Sequence, residues 1–244
     1  MPVSIETLGH YWCDLRDRFL NLLYPPRCVG CRRIGVSLCA GCMERLPRVE
    51  PPFCARCGDQ VVADGLCARC RTSPLQIECI RAVVYFEGVL REALHQLKYR
   101  GRAALAEPLG GLMAAYWVQH ALPAEVVVPV PLHAARLRER GYNQAALLAR
   151  AMTRRLGLPL DERTLVRQRA TASQVDLDVS QRKENVRGAF RCSDKTLTGR
   201  RVLLVDDVCT TGATLEACAV ALYEGGACSV QALTLARARQ VGLW

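Results

Sequence analysis

The chain has 244 residues, half of them hydrophobic and 23% charged, which suffices for one α/β domain with a small appendage and excludes a disordered chain. Its formal net charge is +10, which suits a polyphosphate ligand or a weak nucleic-acid surface without requiring either. The start has no basic segment leading into an apolar stretch, and no run of about 18 apolar residues is present, so no secretory signal or transmembrane segment is expected and the chain reads as soluble and cytoplasmic.

Over residues 1–26, Ile5, Leu8, Trp12, Leu15, Phe19 and Leu22 recur at steps of three and four, the pattern of an amphipathic helix ended by Pro25-Pro26. Such a helix packs on its own domain or faces a partner; its polar face lacks the Lys and Arg of a membrane binder.

Residues 27–72 are rich in cysteine and poor in core-forming residues. Eight of the chain's 14 cysteines fall here as four Cys-x-x-Cys pairs: Cys28 with Cys31, Cys39 with Cys42, Cys54 with Cys57, and Cys67 with Cys70. Each pair can form a knuckle presenting two thiolates, and two knuckles complete a tetrahedral S₄ site, so the spacing predicts two structural Zn²⁺ ions. Sequential pairing is the simple arrangement; interleaving of the first and third pairs is the alternative. Of the other cysteines, Cys79 and Cys218 read as core residues. Cys209 lies near a helix start, where a lowered thiol pKa is conceivable and a filler role simpler.

From residue 78 the composition changes to alternating strands and helices. Ile80, Ala82, Val84 and Phe86 mark a strand, Val89–Lys98 a helix, and Lys98 to Arg102 a basic turn before a helix over about Ala103–His120. Val126–Pro131 is a short strand stopped by proline, and Tyr142–Leu156 is helical. Residues 167–188 are polar without a sustained apolar period and read as a mobile loop. The strand Arg201–Asp206, the helix Ala213–Glu224 and the strand Ser229–Leu235 complete residues 78–240. The fold class implied is α/β, a mainly parallel sheet flanked by helices.

The most informative segment is Val202–Thr214. A buried apolar strand ends in Asp206 and Asp207, followed by Thr210, Thr211, Gly212, Ala213 and Thr214 at a helix start. Amides at a helix N-terminus and threonine hydroxyls bind a phosphate monoester, and Gly212 allows close approach. Paired carboxylates repel phosphate but accept hydrogen bonds from vicinal ribose hydroxyls, and one of them could help hold a divalent ion. The bland reading, an acidic turn before a Thr-capped helix, does not account for the whole string.

That string resembles the 5-phosphoribosyl pyrophosphate (PRPP) motif of type I phosphoribosyltransferases. The whole chain resembles the ComF family (ComFC and GntX-like proteins), which joins such a domain to an N-terminal double zinc ribbon. The likeness rests also on Pro129 to His133 with Arg136, Arg138, Arg140 and Gly141 to Gln144, and on Asn185 to Phe190. It implies that Asp206 and Asp207 contact the ribose hydroxyls and that Thr210–Thr214 wrap the 5-phosphate. It further implies that Val130, Pro131, Leu132, His133 and Arg136 form a pyrophosphate loop, and that Arg169–Val186, with Arg169, Thr171 and Gln174, form a hood over bound PRPP and Mg²⁺. Lys98 and Arg100 form a second basic cluster. No catalytic residue or acceptor is named by these motifs. Two classes of function follow: Mg²⁺-dependent phosphoribosyl transfer, or PRPP sensing joined to binding of single-stranded DNA or competence-machinery proteins, since the family is associated with natural competence.

Overall fold

The computed structural model describes residues 25–63, 65–169 and 179–239. They fall into two compact units, one ending at Arg45 and the other beginning at Leu46. The helix expected over residues 1–26 falls almost wholly outside the described residues.

The first unit is built around Cys28–Cys42. A reverse turn carries Arg32 at φ 65°, with its amide on the Cys28 carbonyl at 2.9 Å, and Arg27 bridges Ile34. A five-residue helix, α1 (Ala40–Glu44), starts from Cys39 and buries Cys42.

The second unit carries a parallel sheet of β1 (Cys79–Tyr85), β2 (Val126–Pro129), β5 (Arg201–Cys209) and β6 (Ser229–Arg237), in the order β1-β6-β5-β2. Leu203 and Leu204 are both fully buried, so the central strand β5 is covered on its two faces. Val202 and Leu204 share a core with Cys218, Ala219 and Leu222 of α8 (Ala213–Glu224). The alternate residues face α4 (Ala106–His120) and α6 (Gln144–Leu156), which pack together against the sheet. Their crossing depends on Gly110, where a Cβ would lie 2.5 Å from Ala151 Cβ and 2.8 Å from the Leu148 carbonyl oxygen. The exposed edge of β1 is covered by residues 47–49, through Tyr85 N–H to Pro47 and Val49 N–H to Val83.

A helix, α3 (Gly88–Tyr99), and a 3₁₀ turn (Ala103–Leu105) link β1 to α4. The expected helix from about residue 103 is therefore a short turn followed by the α-helix proper. β2 ends at Pro129 rather than Pro131, and a seven-residue helix, α5 (Ala134–Arg140), follows it. β5 runs on to Cys209 instead of stopping at Asp206, because its pairing with β6 continues to Cys209 opposite Arg237.

The largest departure concerns residues 167–188. β3 (Leu165–Arg167) pairs antiparallel with β4 (Phe190–Cys192), and α7 (Val179–Val186) lies between them in sequence. The expected loop thus contains a helix packed on α8. Its sequence is almost wholly polar, and the buried Val186 supplies a tertiary anchor that periodicity does not show.

Candidate functional site

In an open α/β sheet, ligands bind beyond the carboxyl ends of the strands, where neighbouring connections diverge. Here β2 and β5 are parallel neighbours, so their carboxyl ends lie side by side. The Val130 amide donates to the Val205 carbonyl at 2.9 Å, so the segment after β2 runs beside Asp206. Val130 is also fixed from the other side: Asn143 Nδ2 donates to its carbonyl at 2.9 Å, while Asn143 Oδ1 accepts the Ala145 amide at 3.0 Å. One side chain thereby caps α6 and holds the 130–133 loop. His133 caps α5 through Nδ1, which accepts the Ala135 amide at 3.3 Å.

Asp206 and Asp207 lie at the carboxyl end of β5. The Asp207 amide donates to Asp206 Oδ1 at 2.8 Å, and Lys98 Nζ forms an ion pair with Asp207 Oδ2. Tyr142 Oη donates to the Leu97 carbonyl at 2.5 Å, tying the end of α3, and with it Lys98, to the start of α6. Burial, reinforced by the adjacent Asp207 carboxylate, pushes the Asp206 carboxyl up to about 8. Burial also works against the Lys98 ammonium, but the two aspartates outweigh it and hold its pKa above the usual lysine value. Lys98 thus neutralises Asp207, while the Asp206 carboxyl beside it keeps a proton to about pH 8.

Gly212, at φ 80°, caps α8, and Thr211 Oγ1 accepts the Ala213 amide at 3.4 Å. Thr211 is buried; Thr210 and Thr214 are partly exposed. The N-terminus of α8 thus directs its first amides at the end of β5, an arrangement suited to a phosphate.

The structure brings together Lys98, Val130 and its loop, Asp206, Asp207 and the 210–214 turn. Arg136 lies near Arg167: burial first, then repulsion from Arg136, draws the Arg167 guanidinium down, while Cys218 and Asp206 oppose the shift. Arg167, at the end of β3, was not singled out by sequence; a lone arginine after two apolar residues carries no signal there. Arg169 Nη2 donates to the Asn185 and Arg187 carbonyls at 3.2 and 2.7 Å, closing the end of α7. Arg100 is exposed at the end of α3. Thr171 and Gln174 lie outside the described residues.

A separate cleft of about 720 Å³ opens at the opposite, amino ends of β2 and β5, lined in part by Glu125, Asp161, Asp194 and Arg200. Its carboxylates are engaged locally: Asp161 accepts the Arg163 and Thr164 amides, both at 2.8 Å, and Asp194 that of Thr196 at 2.9 Å.

Among the described residues, two cysteine groups can hold a metal: Cys28, Cys31, Cys39 and Cys42, and Cys54, Cys57, Cys67 and Cys70, with the sulfurs of each group within 4.8 Å of one another. Sulfurs sharing a tetrahedral zinc lie about 3.8 Å apart; the Cys31–Cys39 and Cys57–Cys67 Sγ separations are both 3.6 Å. The groups fit zinc, and the pairing is sequential. Burial opposes the thiolate of the first cysteine in each group, but converging backbone amides outweigh it and bring Cys28 and Cys54 each down to about 6. These include the Cys39 amide on Cys28 Sγ at 3.4 Å and the Cys67 amide on Cys54 Sγ at 3.3 Å. The second group belongs to the sheet-bearing unit, with Cys54, Cys57 and Cys70 in the same core as Leu204 and Cys209. Cys209 is buried and its thiol pKa is raised by desolvation, which removes the prospect of an activated thiolate.

The parallel sheet with its flanking helices and the paired tetracysteine sites define a protein of the type I phosphoribosyltransferase fold carrying a double zinc ribbon. Family models agree with that class: the double zinc ribbon domain matches residues 19–71 and the phosphoribosyl transferase domain residues 143–242. The DNA utilization protein YhgH of Escherichia coli (strain K12) is 35% identical over 209 residues, covering 82% of this chain and 90% of that relative. Competence protein F of Haemophilus influenzae is 30% identical over 225 residues, covering 87% and 97% of the two chains. Competence protein ComFC of Bacillus subtilis is 28% identical over 237 residues, covering 92% and 90%. The chain belongs to the ComF family. Among solved structures, the glutamine PRPP amidotransferase of B. subtilis overlaps 57% of this chain and 30% of its own, at 20% identity and TM-score 0.40. No described helix is long and apolar enough to cross a membrane.

Proposed function

We propose that this protein binds PRPP with Mg²⁺ at the carboxyl end of β5, as a phosphoribosyltransferase-family member working in the handling of DNA. The observation that carries this reading is the junction of Asp206 and Asp207 with the 210–214 turn, with the 130–133 loop fastened beside them by the Val130 to Val205 bond. The turn would hold the 5-phosphate, the aspartates the ribose hydroxyls, and the 130–133 loop with Arg136 the diphosphate. A divalent cation arriving with the ligand would supply charge neutralisation at the diphosphate and ease the ionisation of Asp206. Titration calorimetry with PRPP and Mg²⁺ on the wild type and on the Asp206→Asn/Asp207→Asn double variant tests the claim. Binding by the wild type and its loss in the variant are expected; equal affinities would overturn the site.

A second reading concerns nucleic acid and rests on the first unit. Arg32 and Arg33 are exposed there beside exposed Ile34 and Val36, so cationic and apolar groups share one reverse turn. Such a surface would track the backbone of a single strand, and relatives named for DNA utilization and competence agree with it. Because the second cysteine group is part of the sheet's core, deletion of residues 27–72 would damage the fold. The test is therefore salt-dependent affinity for single-stranded DNA in an Arg32→Glu/Arg33→Glu variant, expected to fall and to show a shallower salt dependence. Unchanged binding would refute this role for the turn.

A further inference from the structure

The second cysteine group reaches the phosphate turn through two arginines. Arg69 stands between the metal ligands Cys67 and Cys70 on α2 (Ala68–Thr72). Its Nη1 donates to the Thr211 carbonyl at 3.1 Å, and its Nη2 to Asp59 Oδ2 at 3.2 Å. Arg237, at the end of β6 and 3% exposed, pairs with Asp59 Oδ1. It also donates through Nη1 to the Cys57 carbonyl at 2.8 Å and to Cys209 Sγ at 3.6 Å. Asp59 thus sits between two guanidiniums, one holding the residue before the turn and the other the carbonyl within it.

The knuckle behind them is fixed. Ile80 N–H donates to the Arg56 carbonyl at 2.7 Å, and Arg56 Nη1 donates to the Leu75 and Ile77 carbonyls at 2.7 and 3.1 Å. Gly58, at φ 72°, lies so close to β1 that a Cβ would come within 2.5 Å of the Ile80 carbonyl oxygen. The Cys54–Cys57 knuckle, which leads into Arg69's partner Asp59, is therefore packed directly on β1.

Peptide geometry gives this contact a consequence at the ligand site. In a trans peptide the C=O and the following N–H share a plane and point in opposite directions. Drawing the Thr211 carbonyl toward Arg69 therefore aims the Gly212 N–H away from the ribbon, as an anion-binding turn requires. We propose that Arg69 is a positioning residue for the 5-phosphate, and that the second four-cysteine site forms the rear support of the phosphate turn. The inference rests on the site reading above and deepens it. Arg69 touches the 210–214 turn and makes no described contact with the 130–133 loop, so its effect should be confined to the 5-phosphate.

The test uses the zinc-loaded full chain with two probes, ribose 5-phosphate and inorganic pyrophosphate with Mg²⁺, on the wild type, Arg69→Ala and Arg69→Lys. Arg69→Ala should weaken ribose 5-phosphate about tenfold, the size of a lost charge-assisted hydrogen bond, and leave pyrophosphate within about twofold. Arg69→Lys keeps a donor for the Thr211 carbonyl without the fork that also holds Asp59, and should recover part of the loss. Coupling is reciprocal, so ribose 5-phosphate should tighten one zinc ion in equilibrium competition with a chelator in the wild type and lose that effect in Arg69→Ala. Equal weakening of both probes, or unchanged ribose 5-phosphate affinity, would overturn the inference while leaving PRPP binding standing. A wild type that binds neither probe would overturn the site reading and this inference with it.

Discussion

The raised pKa of Asp206 makes ligand affinity depend on pH in a defined direction. The ribose hydroxyls need an accepting carboxylate, and burial beside Asp207 holds a proton on Asp206 up to a pKa of about 8. An acid of that pKa is about 9% ionised at pH 7 and about 91% at pH 9, so affinity should tighten about tenfold across that interval and then level off. The ligand's phosphate is already dianionic above about pH 7, its second pKa being near 6. Lys98 stays charged, since the aspartates hold its pKa above the usual value. Calorimetry of ribose 5-phosphate in buffers of different ionisation enthalpy should show nearly one proton released per ligand at pH 7. In Asp206→Asn the neutral amide does not titrate, so affinity should be weaker and flat and proton release should vanish. A wild-type dissociation constant that is level between pH 7 and 9, or proton release that survives in Asp206→Asn, would refute the reasoning.

Other outcomes follow from the same contacts. A carboxyl whose folded pKa is raised contributes stability that is full below its unfolded pKa, near 3.8, and is lost as pH rises toward about 8; the melting temperature of Asp206→Asn should therefore gain on the wild type as pH increases from 5 to 8. Asp59→Ala leaves the buried Arg237 without its counter-ion and should cost about 3 kcal/mol in denaturant unfolding, with Asp59→Ala/Arg237→Met less damaged than the sum of the single changes; strict additivity would contradict the pairing. Gly110→Val drives a side chain into the Leu148 backbone and should lower stability by about 3 kcal/mol or abolish folding; a fully stable variant would show that α4 and α6 do not cross as described. Zinc content should be two per chain and fall to one in Cys28→Ser/Cys31→Ser, and a value near zero in the wild type would remove both S₄ sites.

Sequence revealed the parts whose chemistry is local. Strand β5, the aspartate pair and the Thr/Gly turn are contiguous, and the Cys-x-x-Cys spacing carries its own geometry. Only the structure settled the pairing of the knuckles as sequential, since two orders satisfy the same spacing. The contacts behind the 210–214 turn were hidden because they are distant in sequence: Arg69 lies 142 residues from Thr211, and Asp59 178 from Arg237. No period or motif marks such a pair. Helix α7 was hidden for a different reason, since Val186, buried at the end of a polar segment, gives no amphipathic pattern. Asn143 shows an intermediate case: its place before a helix marks a cap, while its grip on the Val130 carbonyl appears only in three dimensions.

The most direct measurement of the central claim is a crystal structure of the zinc-loaded protein with PRPP and Mg²⁺. The 5-phosphate should lie within hydrogen-bond reach of the 210–214 amides, the ribose hydroxyls on Asp206 and Asp207, and the diphosphate along residues 130–133. Ligand density at any other place, with the carboxyl end of β5 left vacant, would contradict it.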